Sequence, residues 1–343
     1  MRSGRSSKRV GWITASLLDS DRATFRGLPA PVAMRVANVA RWIDANDGGF
    51  RNELYRRDRR YDAVVFVKAM SAAHLEEAER AQAAGARVVF DANVNYYEVW
   101  GEYDVPGTKP TEEQQRQAQA MTRLADWVVA DSSYLLGVVR NLNERASWIP
   151  DNVDTALFRP PRRGSPRAGE RPLQLVWSGM ARKAKPLLLV REAFAALEDA
   201  ELTVVSNEEP AELPELRRAI PTRFVPFDLR GYARLLRECD VIVSPKRLQN
   251  GYELGHSEWK ITLGMAAGLP AVASPQQSYV EAIGHRGGGV VAGSAEEWAD
   301  ALRRLAADPE LRADLGARAV ETVRERYATP VVARRYLDLL RSL

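Results

Sequence analysis

The 343 residues exceed the size at which one hydrophobic core usually keeps growing, so the length predicts two domains. The single cysteine excludes an internal disulfide, and the absence of zinc-ligand spacings and nucleic-acid-binding modules argues against nucleic acid as a partner. No segment reaches about 18 consecutive apolar residues, so we expect a cytoplasmic protein that at most attaches peripherally to the inner face of a membrane. The formal charge of +4 favours anionic substrates or surfaces.

The first half of the chain alternates short apolar runs with helical segments. The runs that predict buried parallel strands are 9–16, 61–68, 87–90 and 127–132. Segments with helical periodicity or helix-end signals follow them at 32–43, 72–84, 112–125 and 133–141. This alternation predicts a doubly wound parallel sheet, with ligand-binding loops at the carboxyl ends of its strands.

Two loops at predicted strand ends carry candidate acceptor-binding residues. Arg26 lies in the polar loop after the first strand, and Asp91, Asn93, Asn95 and Tyr96 follow the third. Carboxylates and amides bond hydroxyl groups, and aromatic faces stack on sugar rings, so this cluster favours a polyhydroxylated ligand. The alternative is a loop in which the Asx side chains cap the following turn.

A polar segment rich in Pro, Gly and Arg, 162–172, marks the expected domain boundary. Beyond it a second strand and helix series begins, with strands expected at 173–179, 202–206, 223–226 and 241–244. We therefore predict an α/β fold in which domains 1–155 and 172–328 are both Rossmann-like and face each other across a cleft.

The clearest stretch of the sequence, 252–274, reads as a polar loop, a short helix, a turn and an apolar strand. Ser257 is the expected helix N-cap, and Lys260 lies one turn into the helix. Free amides, the helix dipole and a lysine together suit a phosphate group. The alternative is an ordinary helix of a parallel sheet, with no ligand.

Three motifs then occur in a characteristic order: IPDNVDTALF, WSGMARKAKP, and KITLGMAAGLPAVAS followed by YVEAI and GGGVV. With these motifs the chain resembles the GT-B glycosyltransferases, specifically retaining family-4-like enzymes, over residues 125–327. The resemblance implies a nucleotide-sugar donor bound by the second domain and an acceptor bound by the first. It also implies that the last helix, 329–343, crosses back to the first domain.

The resemblance assigns the catalytic cations to Arg182 and Lys185, which would hold the donor diphosphate after Gly179. The family's arginine usually follows the glycine directly, where this chain has Met180, and Lys183 is an alternative. A leaving diphosphate gains negative charge as the glycosidic bond breaks, so fixed cations lower that barrier. On this basis we expect Lys185→Ala to weaken donor binding severely.

One position departs from the resembled family. The acidic residue that usually bonds the nucleotide ribose falls at Leu263. Either Glu253 or Glu258 replaces it from the preceding loop, or the ribose is held differently, or activity is lost. Glu281 matches a recurring family glutamate, with helix capping as its alternative role, and His256 is a candidate for contact with the donor sugar.

These observations predict transfer of a sugar from a nucleoside diphosphate sugar to a hydroxyl of a glycan, a lipid-linked sugar or a small molecule. Retention of configuration is implied by the resemblance alone. We expect no cofactor and no metal, because cationic side chains replace the metal at the diphosphate. Two alternatives stay open: a nucleotide-sugar epimerase on the same fold, and a non-catalytic protein that binds a glycan or a partner enzyme.

Overall fold

The computed structural model describes residues 7–16, 18–19, 24–25, 28, 32–161 and 171–343. Within these ranges the chain forms two six-stranded sheets with helices packed on their faces. Every pair of neighbouring strands is parallel. The predicted α/β fold with two doubly wound sheets is confirmed, whereas Arg26 and most of the expected boundary segment lie outside the described residues.

The first sheet has the strand order β2-β1-β3-β4-β5-β6. Its strands are β1 (Lys8–Thr14), β2 (Phe50–Leu54), β3 (Ala63–Val67), β4 (Arg87–Ala92), β5 (Trp127–Ala130) and β6 (Ala146–Trp148). Its helices are α1 (Val39–Asn46), α2 (Ala72–Ala83), α3 (Glu112–Leu124) and α4 (Ser133–Arg140). A short π-helix, Ala33–Asn38, leads directly into α1. The order reverses beside β1, which places a binding crevice at the carboxyl ends of β1 and β3.

Strand β2 was not predicted, because its sequence FRNEL is polar. It is an edge strand that pairs only with β1. Its buried polar side chains have partners: Asn52 accepts a hydrogen bond from Trp12 Nε1 at 2.9 Å, and Glu53 accepts one from the Tyr61 hydroxyl at 3.0 Å. Buried polar groups are tolerated when they are hydrogen-bonded, so these contacts replace the apolar pattern of a central strand.

The second sheet has the order β12-β11-β10-β7-β8-β9. Its strands are β7 (Leu173–Ser178), β8 (Ala200–Ser206), β9 (Thr222–Pro226), β10 (Val241–Ser244), β11 (Ala271–Ala273) and β12 (Gly289–Val291). Its helices are α5 (Arg191–Ala195), α6 (Leu213–Ala219), α7 (Leu229–Leu235), α8 (Gly251–Leu254), α9 (Trp259–Ala266), α10 (Gln277–Gly284), α11 (Ala295–Ala307) and α12 (Pro309–Arg326). The order reverses beside β7, so the loops after β7 and β10 border a second crevice.

The last helix, α13 (Thr329–Ser342), packs on the first domain. Its residues Val332, Ala333 and Tyr336 share a core with Trp12 of β1, and the Tyr336 and Trp12 ring centroids are 5.7 Å apart. The chain therefore passes between the domains twice, once before β7 and once before α13.

None of the helices in the described ranges is both long enough and apolar enough to cross a membrane.

Candidate active site

A cavity of about 540 Å³ lies between the two domains, where the carboxyl ends of both sheets meet. We call it the interdomain cavity. First-domain residues that follow strand ends line one wall: Ser16, Lys68, Asn93 and Asp131. Second-domain residues line the other wall. Lys183 and Lys246 come from the loops after β7 and β10, His256 and Ser257 come just before α9, and Trp259 and Lys260 begin that helix. The cavity occupies the position where open α/β sheets bind ligands.

Four lysines, Lys68, Lys183, Lys246 and Lys260, line this cavity. None of them forms a salt bridge with a carboxylate within the described part of the chain. Aromatic rings face three of the ammonium groups instead. The Nζ atom of Lys183 lies 4.8 Å from the Tyr252 ring centroid, that of Lys246 lies 5.8 Å from Tyr279, and that of Lys260 lies 5.4 Å from Trp177. Converging cations without counter-ions favour a multiply charged anion.

The pKa values of three of these lysines and of the neighbouring histidine are lowered by their surroundings. Burial, with Arg182 and Lys68 adding repulsion, lowers the pKa of Lys183 to about 8. Burial and the charge of Lys183 lower the pKa of Lys246 to about 7, and burial lowers the pKa of Lys260 well below its ordinary value. The pKa of His256 is also held well below its ordinary value by burial and the nearby lysines, so its ring is neutral and its Nε2, 3.1 Å from Lys183 Nζ, can accept a hydrogen bond.

These pKa values predict that anion binding weakens with rising pH. A diphosphate binds the ammonium forms, which the empty cavity loses as the pH passes about 7 for Lys246 and about 8 for Lys183. We expect the dissociation constant for a nucleoside diphosphate to rise about tenfold or more between pH 7 and pH 9. Calorimetric titration at three pH values measures it. The Lys246→Met variant should bind more weakly and show a shallower pH dependence, whereas a constant affinity in the unmodified protein would contradict the prediction.

The first-domain wall presents a carboxyl group and an amide. Asp131 is 3% exposed; its Oδ2 accepts a hydrogen bond from Asn93 Nδ2 at 3.3 Å, and its Oδ1 has no partner among the described residues. Burial and the charge of Asp151 raise the pKa of Asp131 well above its ordinary value. Asp151 itself accepts from Arg35 at 2.8 Å and from Ser257 Oγ at 2.6 Å. The unpartnered oxygen of Asp131 suits a ligand hydroxyl.

A second cavity of about 210 Å³, which we call the apolar cavity, lies over the carboxyl ends of β7, β8 and β9. It shares Trp259 and Lys260 with the interdomain cavity, so the two are adjacent. Gly179 lies in its wall, where a Cβ atom would be 2.7 Å from the Trp177 ring and 2.9 Å from Lys260 Nζ. A side chain at position 179 would therefore displace the lysine.

The expected catalytic pair, Arg182 and Lys185, does not line either cavity. Both side chains are exposed, and the Arg182 guanidinium donates to the Pro106 carbonyl at 2.5 Å. Lys183 lines the interdomain cavity in their place. In a 3₁₀ turn such as Ala181–Lys183, the side chains of successive residues point about 120° apart. Because Lys183 points into the interdomain cavity, Arg182 points away from it. Spacing in the sequence alone did not fix which residue of the turn faces the cavity.

The expected helix N-cap at Ser257 was wrong. Helix α9 begins at Trp259, and the Ser257 hydroxyl donates to Asp151 of the first domain. Glu258 is 1% exposed and lines neither cavity. Both of its carboxylate oxygens lack hydrogen-bond partners among the described residues, and burial raises its pKa well above its ordinary value. Glu258 therefore contributes nothing to the lining of either cavity.

Two further glutamates have local partners. Glu253 Oε2 accepts from the Gln249 amide at 3.0 Å, and its side chain lies in a small crevice beside Lys183. Glu281 Oε1 accepts from Ser133 Oγ at 2.6 Å, which is a contact between the domains. Neither residue lines the interdomain cavity or the apolar cavity.

Of the expected acceptor residues in the described ranges, only Asn93 lines the interdomain cavity. Asp91 is fully buried, where it pairs with Arg35. Asn95 is also fully buried, and its amide donates to the Gly251 carbonyl at 3.1 Å across the domain boundary. Tyr96 is half-buried, with its ring centroid 6.0 Å from Lys68 Nζ, and lies outside the lining.

Sequence reasoning missed Lys68, Lys246, Asp131 and Asp151. Lys68, Lys246 and Asp131 follow the ends of β3, β10 and β5, and Lys68 has a left-handed φ of 55°. A charged residue within two residues of the carboxyl end of a predicted parallel strand was the available signal for these three. Asp151 follows Pro150 in the connector between the domains, and its position depends on the tertiary fold.

The fold and the site define a protein of the GT-B class: two facing Rossmann-like domains with a polar cavity between their carboxyl edges. Residues 172–308 match the family model described as Glycosyl transferases group 1. The second domain therefore has the sequence signature of these glycosyltransferases. A search of curated protein sequences gave no match.

Solved structures share the fold over nearly the whole chain. Sucrose-phosphate synthase from Thermosynechococcus elongatus has a TM-score of 0.72 and 15% identity, over 98% of this chain and 99% of that chain. Anabaena HepE in complex with UDP has a TM-score of 0.69 and 13% identity, over 98% and 100%. A glycosyltransferase from Rickettsia africae has a TM-score of 0.68 and 13% identity, over 98% and 99%. At these identities the likeness shows the fold.

Proposed function

We propose that the protein is a glycosyltransferase that moves a sugar from a nucleoside diphosphate sugar to a hydroxyl acceptor, with retention of configuration. The observation that carries the proposal is that Lys183, Lys246 and Lys260 face the cleft from the domain that matches the group 1 glycosyltransferases and form no salt bridge with a carboxylate of the described residues. HepE, which shares the fold, was solved with UDP and with UDP-glucose, and this supports the same donor class here.

In this proposal the diphosphate binds Lys183, Lys246 and Lys260, and the nucleoside extends from Lys260 into the apolar cavity. The donor sugar and the acceptor hydroxyl occupy the interdomain cavity, where Asn93 and Asp131 offer polar contacts. His256 accepts a hydrogen bond from Lys183 and so orients its ammonium group.

The reaction breaks the bond between the anomeric carbon and the diphosphate oxygen and forms a bond from that carbon to the acceptor oxygen. The hydroxyl proton passes to the leaving phosphate, on the same face of the sugar. The lysines stabilise the negative charge that develops on the diphosphate, which is the contribution otherwise made by a metal ion. Holding both substrates in one cavity lowers the activation barrier further, because the reacting groups are already positioned next to each other.

Thermal unfolding with a panel of nucleoside diphosphates and their sugars tests the donor site. A ligand that binds only the folded protein must raise the midpoint, so we expect a rise with at least one nucleotide. No rise with any of them, on folded protein, would contradict the proposal.

Turnover with the nucleotide sugar that binds then distinguishes the alternatives. A transferase releases nucleoside diphosphate when an acceptor is added, or slowly with water as the acceptor. An epimerase changes the sugar without an acceptor, and a binding protein does neither.

A further inference from the structure

The described wall of the apolar cavity has few polar groups and no carboxylate. Its lining, among the residues that the structure describes, is Ser178, Gly179, Met180, Asn207, Phe227, Tyr232, Trp259, Lys260 and Leu263. Met180 and Phe227 are 47% and 37% exposed, so both present apolar surface at the mouth of this cavity. Such surfaces suit the flat face of a ligand ring.

The position of this cavity assigns it to a nucleoside. It lies over the carboxyl ends of β7, β8 and β9, next to the point where the strand order reverses. Lys260 stands between it and the interdomain cavity, so a ligand whose phosphates meet Lys260 extends its ribose and base toward Met180 and Phe227. This step depends on the function proposed above.

The wall offers little to a ribose hydroxyl. Rossmann-type sites commonly hold the ribose 2′-hydroxyl with a carboxylate, which is a strong acceptor. Here Leu263 stands in the wall, and it is 2% exposed. The three side-chain oxygens of the wall are already engaged in hydrogen bonds: the Tyr232 hydroxyl donates to Ser178 Oγ at 2.9 Å, and Asn207 Oδ1 accepts from the Ala181 amide at 3.0 Å.

We infer that this site holds the nucleoside by stacking and apolar contact without recognising the ribose 2′-hydroxyl. The donor class therefore includes 2′-deoxyribonucleoside diphosphate sugars as well as ribonucleoside diphosphate sugars. Removal of the 2′-hydroxyl costs little here, because no free side-chain acceptor in the described wall is left unpaired by its loss.

Calorimetric titration of the full chain with matched nucleotide pairs tests the inference: UDP with 2′-deoxy-UDP, GDP with 2′-deoxy-GDP, and ADP with 2′-deoxy-ADP. For the base that binds, we expect the two dissociation constants to agree within about threefold to fivefold, whereas a charge-assisted hydrogen bond would separate them by about tenfold or more. A larger preference for the ribonucleotide overturns the inference and leaves the proposed function standing. Failure of every pair to bind overturns both.

A gain-of-contact variant sharpens the test. Leu263→Glu places a carboxylate in the wall, and we expect it to create a preference of about tenfold for the ribonucleotide of the pair. Leu263→Met is the control, because it keeps the volume and adds no strong acceptor. Equal ratios in a folded Leu263→Glu protein would place the ribose away from position 263 and overturn the inference. If that variant does not fold, the matched pairs on the unmodified protein still decide.

Discussion

Replacing Lys260 by methionine is expected to weaken nucleoside diphosphate binding by about 100-fold or more. Lys260 lines both cavities, and in the proposed binding mode it meets the donor where the diphosphate joins the nucleoside. Its Nζ lies 5.4 Å from the centroid of the Trp177 ring, and no carboxylate among the described residues forms a salt bridge with it. Methionine keeps an unbranched apolar stem of similar length, so the substitution removes the charge with little change in packing.

Lys185→Met is the matched control for Lys260→Met. Lys185 is an exposed lysine of the same domain that lines neither cavity, so we expect its loss to change the dissociation constant by no more than about twofold. Calorimetric titration at pH 7 measures both variants. If Lys185→Met weakened binding as much as Lys260→Met, Lys185 would contact the donor as the resemblance implies, and its exclusion on the geometry would be wrong.

The stability of the empty protein separates lost binding from lost folding. Burial lowers the pKa of Lys260 well below its ordinary value, so a charge at this position opposes folding when no anion is bound. The empty Lys260→Met protein should therefore unfold at the same temperature as the unmodified protein or higher. A large fall in the unfolding midpoint would make the binding result uninterpretable as a charge effect.

The sheet architecture was predictable wherever strands are buried on both faces. Runs such as YDAVVFVK and WVVADS contain continuous apolar residues because helices cover both faces of the sheet, and β3 and β5 occur there. Strand β2 was not predictable in this way, since an edge strand can replace apolar residues by hydrogen-bonded polar ones. Local pattern therefore identifies central strands and misses this polar edge strand, although it finds the edge strand β9.

The candidate site was only partly predictable, and for a related reason. Lys183 and Lys260 were found because each lies near a recognisable motif, whereas Lys246 lies in a loop without one. Asp91 belongs to the same predicted cluster as Asn93, yet its carboxylate already accepts hydrogen bonds from Arg35, 56 residues away, and from Tyr336, 245 residues away. Which polar residue faces the cavity depends on such distant pairs, and a single sequence does not disclose them.

Replacing Arg35 by methionine is expected to destabilise the protein by about 3 to 5 kcal/mol. Arg35 is 4% exposed and donates to both carboxylate oxygens of Asp91, at 2.8 and 2.7 Å, and to Asp151 at 2.8 Å. Asp91 is fully buried and also accepts from the Tyr336 hydroxyl of α13. Removing the arginine leaves a buried carboxylate without its counter-ion, and this costs far more than the loss of an exposed ion pair.

Urea unfolding followed by tryptophan fluorescence measures the cost, since Trp12 packs against Tyr336 in the same core. Arg41→Met is the control: Arg41 is exposed on α1, and its loss should change the free energy of unfolding by less than about 0.5 kcal/mol. Adding Asp91→Asn to Arg35→Met removes the stranded charge, so the double variant should recover part of the loss. If the double variant were less stable than Arg35→Met alone, the cost would lie in lost packing. Recovery would show that the cost comes from the unpaired Asp91 carboxylate, which also accepts the hydrogen bond from Tyr336 of α13. The same arginine binds Asp151, which accepts from Ser257 of the second domain.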